Sequence, residues 1–297
     1  MRSMRRCLAD GRRVSTMADL HGLAPEPAES TVGALEKYLF GCFPKEYCEP
    51  WDKCGLLVGD PATRVRGVAI ALDPNVKTIE RAAEQGCNVL LTHHPAYISP
   101  PERFVARGAE SSDAARRVIA ALRDGVALIA MHTNLDRSPL AKQVLIQALG
   151  LDYAGGFIDD GSGYPEFGCI AAVRGPGALT LDELAARCAE AFGRAPRAWG
   201  DRDGAIRRVG IANGSSNSFM SDIVNSDVDC VVTGELSYHN ALEVASAGVG
   251  IIELGHDVSE APLLECLEKA VRATEAFGAS VRMLGPDLYW WQPRMVR

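Results

Sequence analysis

No part of the 297-residue chain is apolar for long. The longest runs, such as Val89–Leu91 and Val126–Met131, are far shorter than the roughly 20 residues a membrane span needs, so no membrane role is expected. No CxxC pair occurs among the nine cysteines, an odd count, and most lie inside apolar runs. That pattern suits reduced, buried thiols of a cytoplasmic protein better than a disulfide framework or a Cys-rich zinc site. There is no long basic patch. With 31 Lys and Arg against 38 Asp and Glu the formal charge is −7, which gives no electrostatic help toward nucleic acid or an anionic membrane. No GxGxxG loop follows a strand pattern and no GxSxG elbow occurs, which weighs against a dinucleotide-binding module and a serine hydrolase.

What is present is an ordinary globular composition, 47% hydrophobic and 23% charged, long enough for two lobes. Residues 1–30 are Arg-rich but lack the apolar segment of a secretory signal, and read as a flexible tail. Met17 is an alternative start, and an Arg-rich transit peptide is the competing reading. The folded body is placed from Thr31 onward.

Residues 31–150 alternate apolar strands with helical patterns. Strands are expected over Val65–Leu72, Asn88–Thr92 and Val126–Met131, and helices over Val76–Gln85, Ser112–Asp124 and Leu140–Leu149. Residues 151–205 are richer in Gly and Pro and read as a small α+β middle segment or lid, with a capping box at Thr180 and Glu183 opening a helix over Leu181–Phe192. Residues 206–297 return to alternation. Here the expected strands are Val209–Ala212, Asp229–Thr233 and Gly250–Leu254, with a helix over Tyr238–Ala247 and a long one from Ser259 to Phe277. The expected fold class is α/β, with two lobes of mostly parallel sheet covered by helices on both faces. Ile70-Ala71 and Thr92 recur 141 residues later as Ile211-Ala212 and Thr233, a weak echo that two related lobes would explain.

The chemistry-bearing residues fall at strand ends. His93 and His94 follow one expected strand, His132 and Asp136 another, Glu235 and His239 a third, and His256 and Glu260 a fourth. The carboxyl ends of parallel strands share one rim, where α/β proteins place ligands. Five of the six histidines are in these groups, and only His21 lies outside. Each group also has a plain explanation. A lone His after a strand is usually a hydrogen-bonded structural residue, Asp257 and Glu260 can form a capping box, and Asp136 can make an Asx-turn. Together these explanations require several coincidences on one rim. Imidazole and carboxylate without thiolate suit Zn²⁺, Mn²⁺, Fe²⁺, Co²⁺ or Ni²⁺. Asn213–Ser218 can be read either as an anion-holding loop or as a plain Ser/Asn helix start.

The strings Trp51-Asp-Lys-Cys-Gly-Leu-Leu-Val-Gly-Asp60, Leu91-Thr-His-His-Pro95, His132-Thr-Asn-Leu-Asp136, Thr233-Gly-Glu-Leu-Ser-Tyr-His239 and Gly255-His-Asp-Val-Ser-Glu260 occur in the order seen in one family. From about Thr31 to the last helix, the chain resembles the Nif-three-like dinuclear metal-centre family, the GTP cyclohydrolase I type 2 homologues. The resemblance implies two divalent metal ions per subunit held by His93, His94, Asp136, His256 and Glu260, and a toroidal homohexamer. His132, Glu235 and His239 then fall beside the metals, in positioning or proton-transfer roles. This chain departs from the family at Lys53, where Asn is usual, at Tyr238, where a second His is usual, and at Asn213-Gly-Ser-Ser, where GGSG is usual. The expected function is a metal-dependent hydrolase acting on a small molecule, with a nucleotide as the substrate class the family name suggests. The alternative is a non-catalytic metal-binding regulator, chaperone, sensor or scaffold.

Overall fold

A computed structural model describes residues 24–277, 280–287 and 289–291. The expectations for His21, Met17 and most of the 1–30 tail lie outside these residues. The chain divides into two compact units, one of His21–His132 with Leu267–Arg297, the other built on Thr133–Cys266.

In the first unit, α1 (Val32–Cys42) is opened by the Thr31 hydroxyl, which accepts from Ala34 N–H. The strand β1 (Gly55–Val58) follows, then β2 (Val68–Ala71), α2 (Val76–Glu84), β3 (Val89–Thr92), α3 (Asp113–Asp124) and β4 (Ala127–Ala130). All residues of β2, β3 and β4 are buried, as expected of the continuous VAIA, VLLT and ALIA runs of strands covered on both faces. Asn75 and Ser112 cap α2 and α3, and Gly125, at φ 63°, ends α3 in the left-handed region.

In the second unit come α4 (Thr133–Asp136), α5 (Pro139–Leu149), β5 (Asp152–Ile158), β6 (Phe167–Ala172), β7 (Leu179–Thr180) and α6 (Leu181–Phe192). They are followed by β8 (Arg197–Trp199), β9 (Ala205–Ile206), β10 (Arg208–Ser215), α7 (Met220–Asn225), β11 (Cys230–Glu235), α8 (Tyr238–Ser246), β12 (Gly250–Glu253) and α9 (His256–Glu260). The helix α10 (Leu263–Arg272) and the strand β13 (Val281–Met283) complete the chain. The Thr180–Glu183 capping box forms as expected.

The first sheet has the order β1-β4-β3-β2-β13, parallel except at β1. Residues after 266, which a consecutive division places with the second lobe, return to the first unit because β13 pairs with β2 (Val281 with Val68). The second sheet has the order β5-β6-β10-β11-β12-β8 and is mixed rather than mostly parallel. Only β10, β11 and β12 run parallel, while β5, β6 and β8 add antiparallel edges. Those three strands come from residues 151–205, so that segment contributes to this sheet. The apolar faces of Cys169, Ala171, Leu181, Leu184 and Cys188 pack with Val209, Ile211 and Val232 in one core. The 141-residue echo is matched in register: Ala71 pairs with Thr92, and Ala212 pairs with Thr233.

Three local expectations are corrected. The long helix from Ser259 to Phe277 is two helices, α9 and α10, broken at Ala261-Pro262, since proline has no N–H to continue the ladder. Asp136, for which an Asx-turn is one expectation, ends the helical turn Thr133–Asp136. The strand β10 runs on to Ser215, past the expected end at Ala212. Among the described residues, no helix is long and apolar enough to cross a membrane.

Candidate metal centre

In the first unit, three imidazoles meet at the ends of β3 and β4. His93 and His94 leave β3, and His132 leaves β4, its parallel neighbour. The ring centroids lie 5.1 Å (His93–His94), 5.1 Å (His93–His132) and 5.6 Å (His94–His132) apart. One ring nitrogen from each falls within 4.8 Å of the other two, the spacing of a set able to share one ion. His93 is fully buried.

The tautomers follow from what each Nδ1 meets. His93 Nδ1 lies 3.0 Å from the Met131 carbonyl oxygen. A carbonyl only accepts, so Nδ1 carries the proton and Nε2 the lone pair. His94 Nδ1 lies 2.8 Å from Asp73 Oδ1, and His132 Nδ1 lies 2.8 Å from Asp52 Oδ1. Each of these carboxylates likewise holds the proton on Nδ1 and leaves Nε2 as the donor nitrogen, the arrangement that carboxylate–histidine–metal sites use. The Asp52 side chain is fully buried and also accepts from Lys53 N–H and the Cys54 thiol.

The second unit assembles a carboxylate-rich set. His256 and Glu260 stand one turn apart on α9, with Nε2 3.3 Å from Glu260 Oε2, and Glu260 is buried. His256 Nδ1 lies 3.1 Å from Glu235 Oε1, so Glu235 orients His256 much as Asp73 orients His94. The end of β10 joins these groups to Asp136. Asn213 Nδ2 donates to Asp136 Oδ1 at 2.6 Å, while a Cβ on the next residue, Gly214, would sit 2.4 Å from Glu260 Oε1 and 3.6 Å from His256 Nε2. Gly214 has φ +62° and its N–H donates to the buried Ser259 Oγ at 2.9 Å. The position therefore demands glycine twice over, for backbone angle and for space.

The plain alternatives fail at several of these residues. Asp257 lies inside α9, where both carboxylate oxygens accept from Arg194, at 2.7 and 2.6 Å, so it does not open a capping box with Glu260. Asp136 accepts from Asn213, seventy-seven residues on. In Asn213–Ser218, Gly214 N–H is committed to Ser259 Oγ and Ser216 N–H to the Glu235 carbonyl, which removes two of the donors an anion-holding loop would use. His239 is exposed on the first turn of α8, its ring edge-on to Tyr238 at 5.3 Å, and joins no group of three metal-ligating side chains among the described residues.

Sequence reasoning missed Asp52, Asp73 and Asn213 as the groups that hold the site residues. Asp73 was findable, since it stands just past the end of β2 on the same rim that selected the histidines.

The donor set fits a divalent metal. One buried and two half-buried imidazoles with oriented Nε2 atoms, and a buried carboxylate beside a glycine that makes room for it, are what an imidazole- and oxygen-loving ion requires. The geometry defines an α/β protein whose His and Glu groups can hold a metal ion. The chain belongs to the Duf34/NIF3 (NGG1p interacting factor 3) family, whose pattern it matches over residues 30–285. It is 32% identical over 231 residues to a GTP cyclohydrolase 1 type 2 homolog of Streptomyces coelicolor, covering 75% of this chain and 79% of the relative. A protein of the same name from Clostridium acetobutylicum is 28% identical over 223 residues, covering 74% and 82%. Among solved structures, a hypothetical protein of Staphylococcus aureus superposes with a TM-score of 0.77 at 24% identity, over 90% of this chain and all of that one. A Bacillus cereus protein related to NIF3 does so with a TM-score of 0.74 at 18% identity, over 90% and 99%.

Proposed function

We propose that the chain is a metal-dependent hydrolase of small molecules, with His93, His94, Asp136, His256 and Glu260 holding two divalent ions. The observation that carries this is the three-imidazole cluster, in which an acceptor fixes every Nδ1 and thereby presents every Nε2. Two carboxylates and a backbone carbonyl serving three adjacent histidines is more organisation than structural histidines need. Bound ions supply Lewis acidity toward a water and toward the electrophile it attacks.

The chain's own residues supply the rest. His132 is the proton acceptor: its Nε2 is the basic nitrogen, and Asp52 holds the opposite nitrogen and fixes the ring. Glu235 orients His256, and its half-exposed carboxylate is a second proton-transfer group. His239, exposed beside Tyr238, contributes to substrate contact. The relatives' name, GTP cyclohydrolase 1 type 2 homolog, makes a purine nucleotide the first substrate class to assay. The family resemblance adds a homohexamer, and the cysteine pattern a cytoplasmic location.

The test is purified protein with Mn²⁺ or Zn²⁺, assayed against GTP and a panel of esters and phosphoesters. Turnover that His132→Ala abolishes even at metal concentrations that still load the variant supports the hydrolase. Metal uptake with no turnover on any substrate, matched by a phenotype that survives loss of His132, Glu235 and His239, would instead establish a non-catalytic metal-binding regulator or scaffold.

A further inference from the structure

Eight cysteines lie among the described residues, and six of them are buried. The two that reach solvent, Cys48 and Cys54, are in the same loop of the first unit. A 3₁₀ turn over Lys45–Tyr47 delivers Cys48, and a turn closed by Asp52 N–H to the Glu49 carbonyl, 3.0 Å, folds the chain back and makes Cys48 an electrostatic neighbour of Cys54. Cys54 also donates to Asp52 Oδ2 at 3.2 Å, and Asp52 Oδ1 holds His132. A continuous chain of contacts thus runs from a solvent-reaching thiol to an imidazole of the metal centre. Six residues of separation with an intervening turn is a loop that a disulfide can close.

We propose that Cys48 and Cys54 are a reversible dithiol–disulfide pair, and that closing the disulfide loosens the Asp52–His132 contact. Half-buried dithiols that reach solvent in a loop belong with the labile class rather than with fully buried structural ones. Cys48 is the entering thiol, because the Cys54 S–H is committed to Asp52, and its contact with Cys48, together with burial, pushes its pKa up. The oxidant is a small-molecule disulfide such as glutathione disulfide. The Cys48 thiolate attacks one of its sulfurs, the S–S bond breaks, and one glutathione leaves and takes up the proton Cys48 gave to solvent. Cys54 then gives up its proton and attacks the Cys48 sulfur, and the second glutathione leaves as a thiolate that takes up that proton. Two S–H bonds are lost and one S–S bond is formed, two electrons pass to the oxidant, and Asp52 loses the thiol donor that helped hold it.

The experiment takes the full-length protein through glutathione buffers of graded oxidised-to-reduced ratio. Intact mass and peptide mapping follow the thiols, and Co²⁺ titration follows the metal site. The expected result is a loss of two mass units localised to a Cys48–Cys54 cross-link, reversed by dithiothreitol and absent from Cys48→Ser and Cys54→Ser. Cys54→Ser should instead trap glutathione on Cys48. Oxidised protein should bind Co²⁺ about tenfold more weakly than reduced protein. The Co²⁺ arm rests on the metal-binding function proposed above, whereas the mass arm does not, so their failures are distinguishable. Absence of the cross-link in fully oxidised buffer overturns the pair. A cross-link that leaves Co²⁺ affinity unchanged in protein that does bind Co²⁺ overturns its link to His132.

Discussion

Replacing Gly214 with alanine should weaken metal binding far more than it weakens the fold. Its φ of +62° lies in the left-handed region, where a Cβ costs about 1 kcal/mol. For a chain of this size that lowers Tm by about 2–4 °C. The new methyl would also stand 2.4 Å from Glu260 Oε1. The clashing atom is the far end of a flexible side chain, so the carboxylate swings away rather than the backbone yielding. The additional cost therefore falls on the site, where displacing a ligand or its support reduces affinity about 10–100-fold. Gly150 provides the matched control. It sits at φ +63° in the same unit with open space around its Cβ position, so Gly150→Ala carries the backbone cost alone. Thermal unfolding and chelator-competition titration of Zn²⁺ on both variants separate the two terms. The two should unfold at similar temperatures, and only Gly214→Ala should lose Zn²⁺. Equal, wild-type Zn²⁺ affinity in both would refute the placement of Glu260 as a ligand packed on Gly214.

Asp73→Asn keeps an acceptor near His94 but removes the charge, and should cut Zn²⁺ affinity about tenfold at unchanged Tm; an unaltered affinity in competition titration would contradict the role given to Asp73. Burial works against ionisation of Asp160, but hydrogen bonds from Ser162 and the Arg137 guanidinium bring its pKa down to about 2. A depressed carboxylate stabilises the fold fully above its unfolded value near 4 and loses that contribution as pH falls toward about 2. Asp160 is exposed, so solvent screens part of that shift; Asp160→Asn should cost about 1 kcal/mol at pH 7, and the gap to wild type should close between about pH 4 and 2. A gap independent of pH in urea unfolding would show that the pair with buried Arg137 does not carry it. Glu253 is buried and accepts from Arg197, Trp199 Nε1 and Leu236 N–H, so Glu253→Gln should destabilise the protein by about 2–3 kcal/mol in denaturant melts while leaving metal content intact. Metal loss without destabilisation would place Glu253 in the site instead of the fold.

The parallel strands were legible because their apolar runs are continuous: β3, β4 and β12 all fall within one or two residues of the expected bounds. The edge strands were not. In β5, Asp152 to Ile158 includes two glycines and only Ile158 is buried, so it carries no alternating burial pattern, and β13 is three residues long with only Val281 buried. Such strands are defined by a partner far away in sequence, as β13 is by β2. The site showed the same division. The strand-end rule selected His93, His94 and His132, which the structure brings together, and His256 with Glu260, but also His239, which joins no such group among the described residues. Asp52, eighty residues before His132, and Asn213, seventy-seven after Asp136, act through contacts no spacing reveals. The break at Pro262 was visible in sequence, but the amphipathic pattern on either side masked it.

The most direct test of a metal centre is elemental analysis of protein purified without added metal, beside His93→Ala, His94→Ala and Glu260→Ala. Wild type should carry close to two divalent ions per chain, and each variant should carry fewer while remaining folded by circular dichroism. Folded wild-type protein that holds no divalent metal, and takes up none from Zn²⁺, Mn²⁺, Fe²⁺, Co²⁺ or Ni²⁺ at micromolar concentration, would contradict the account.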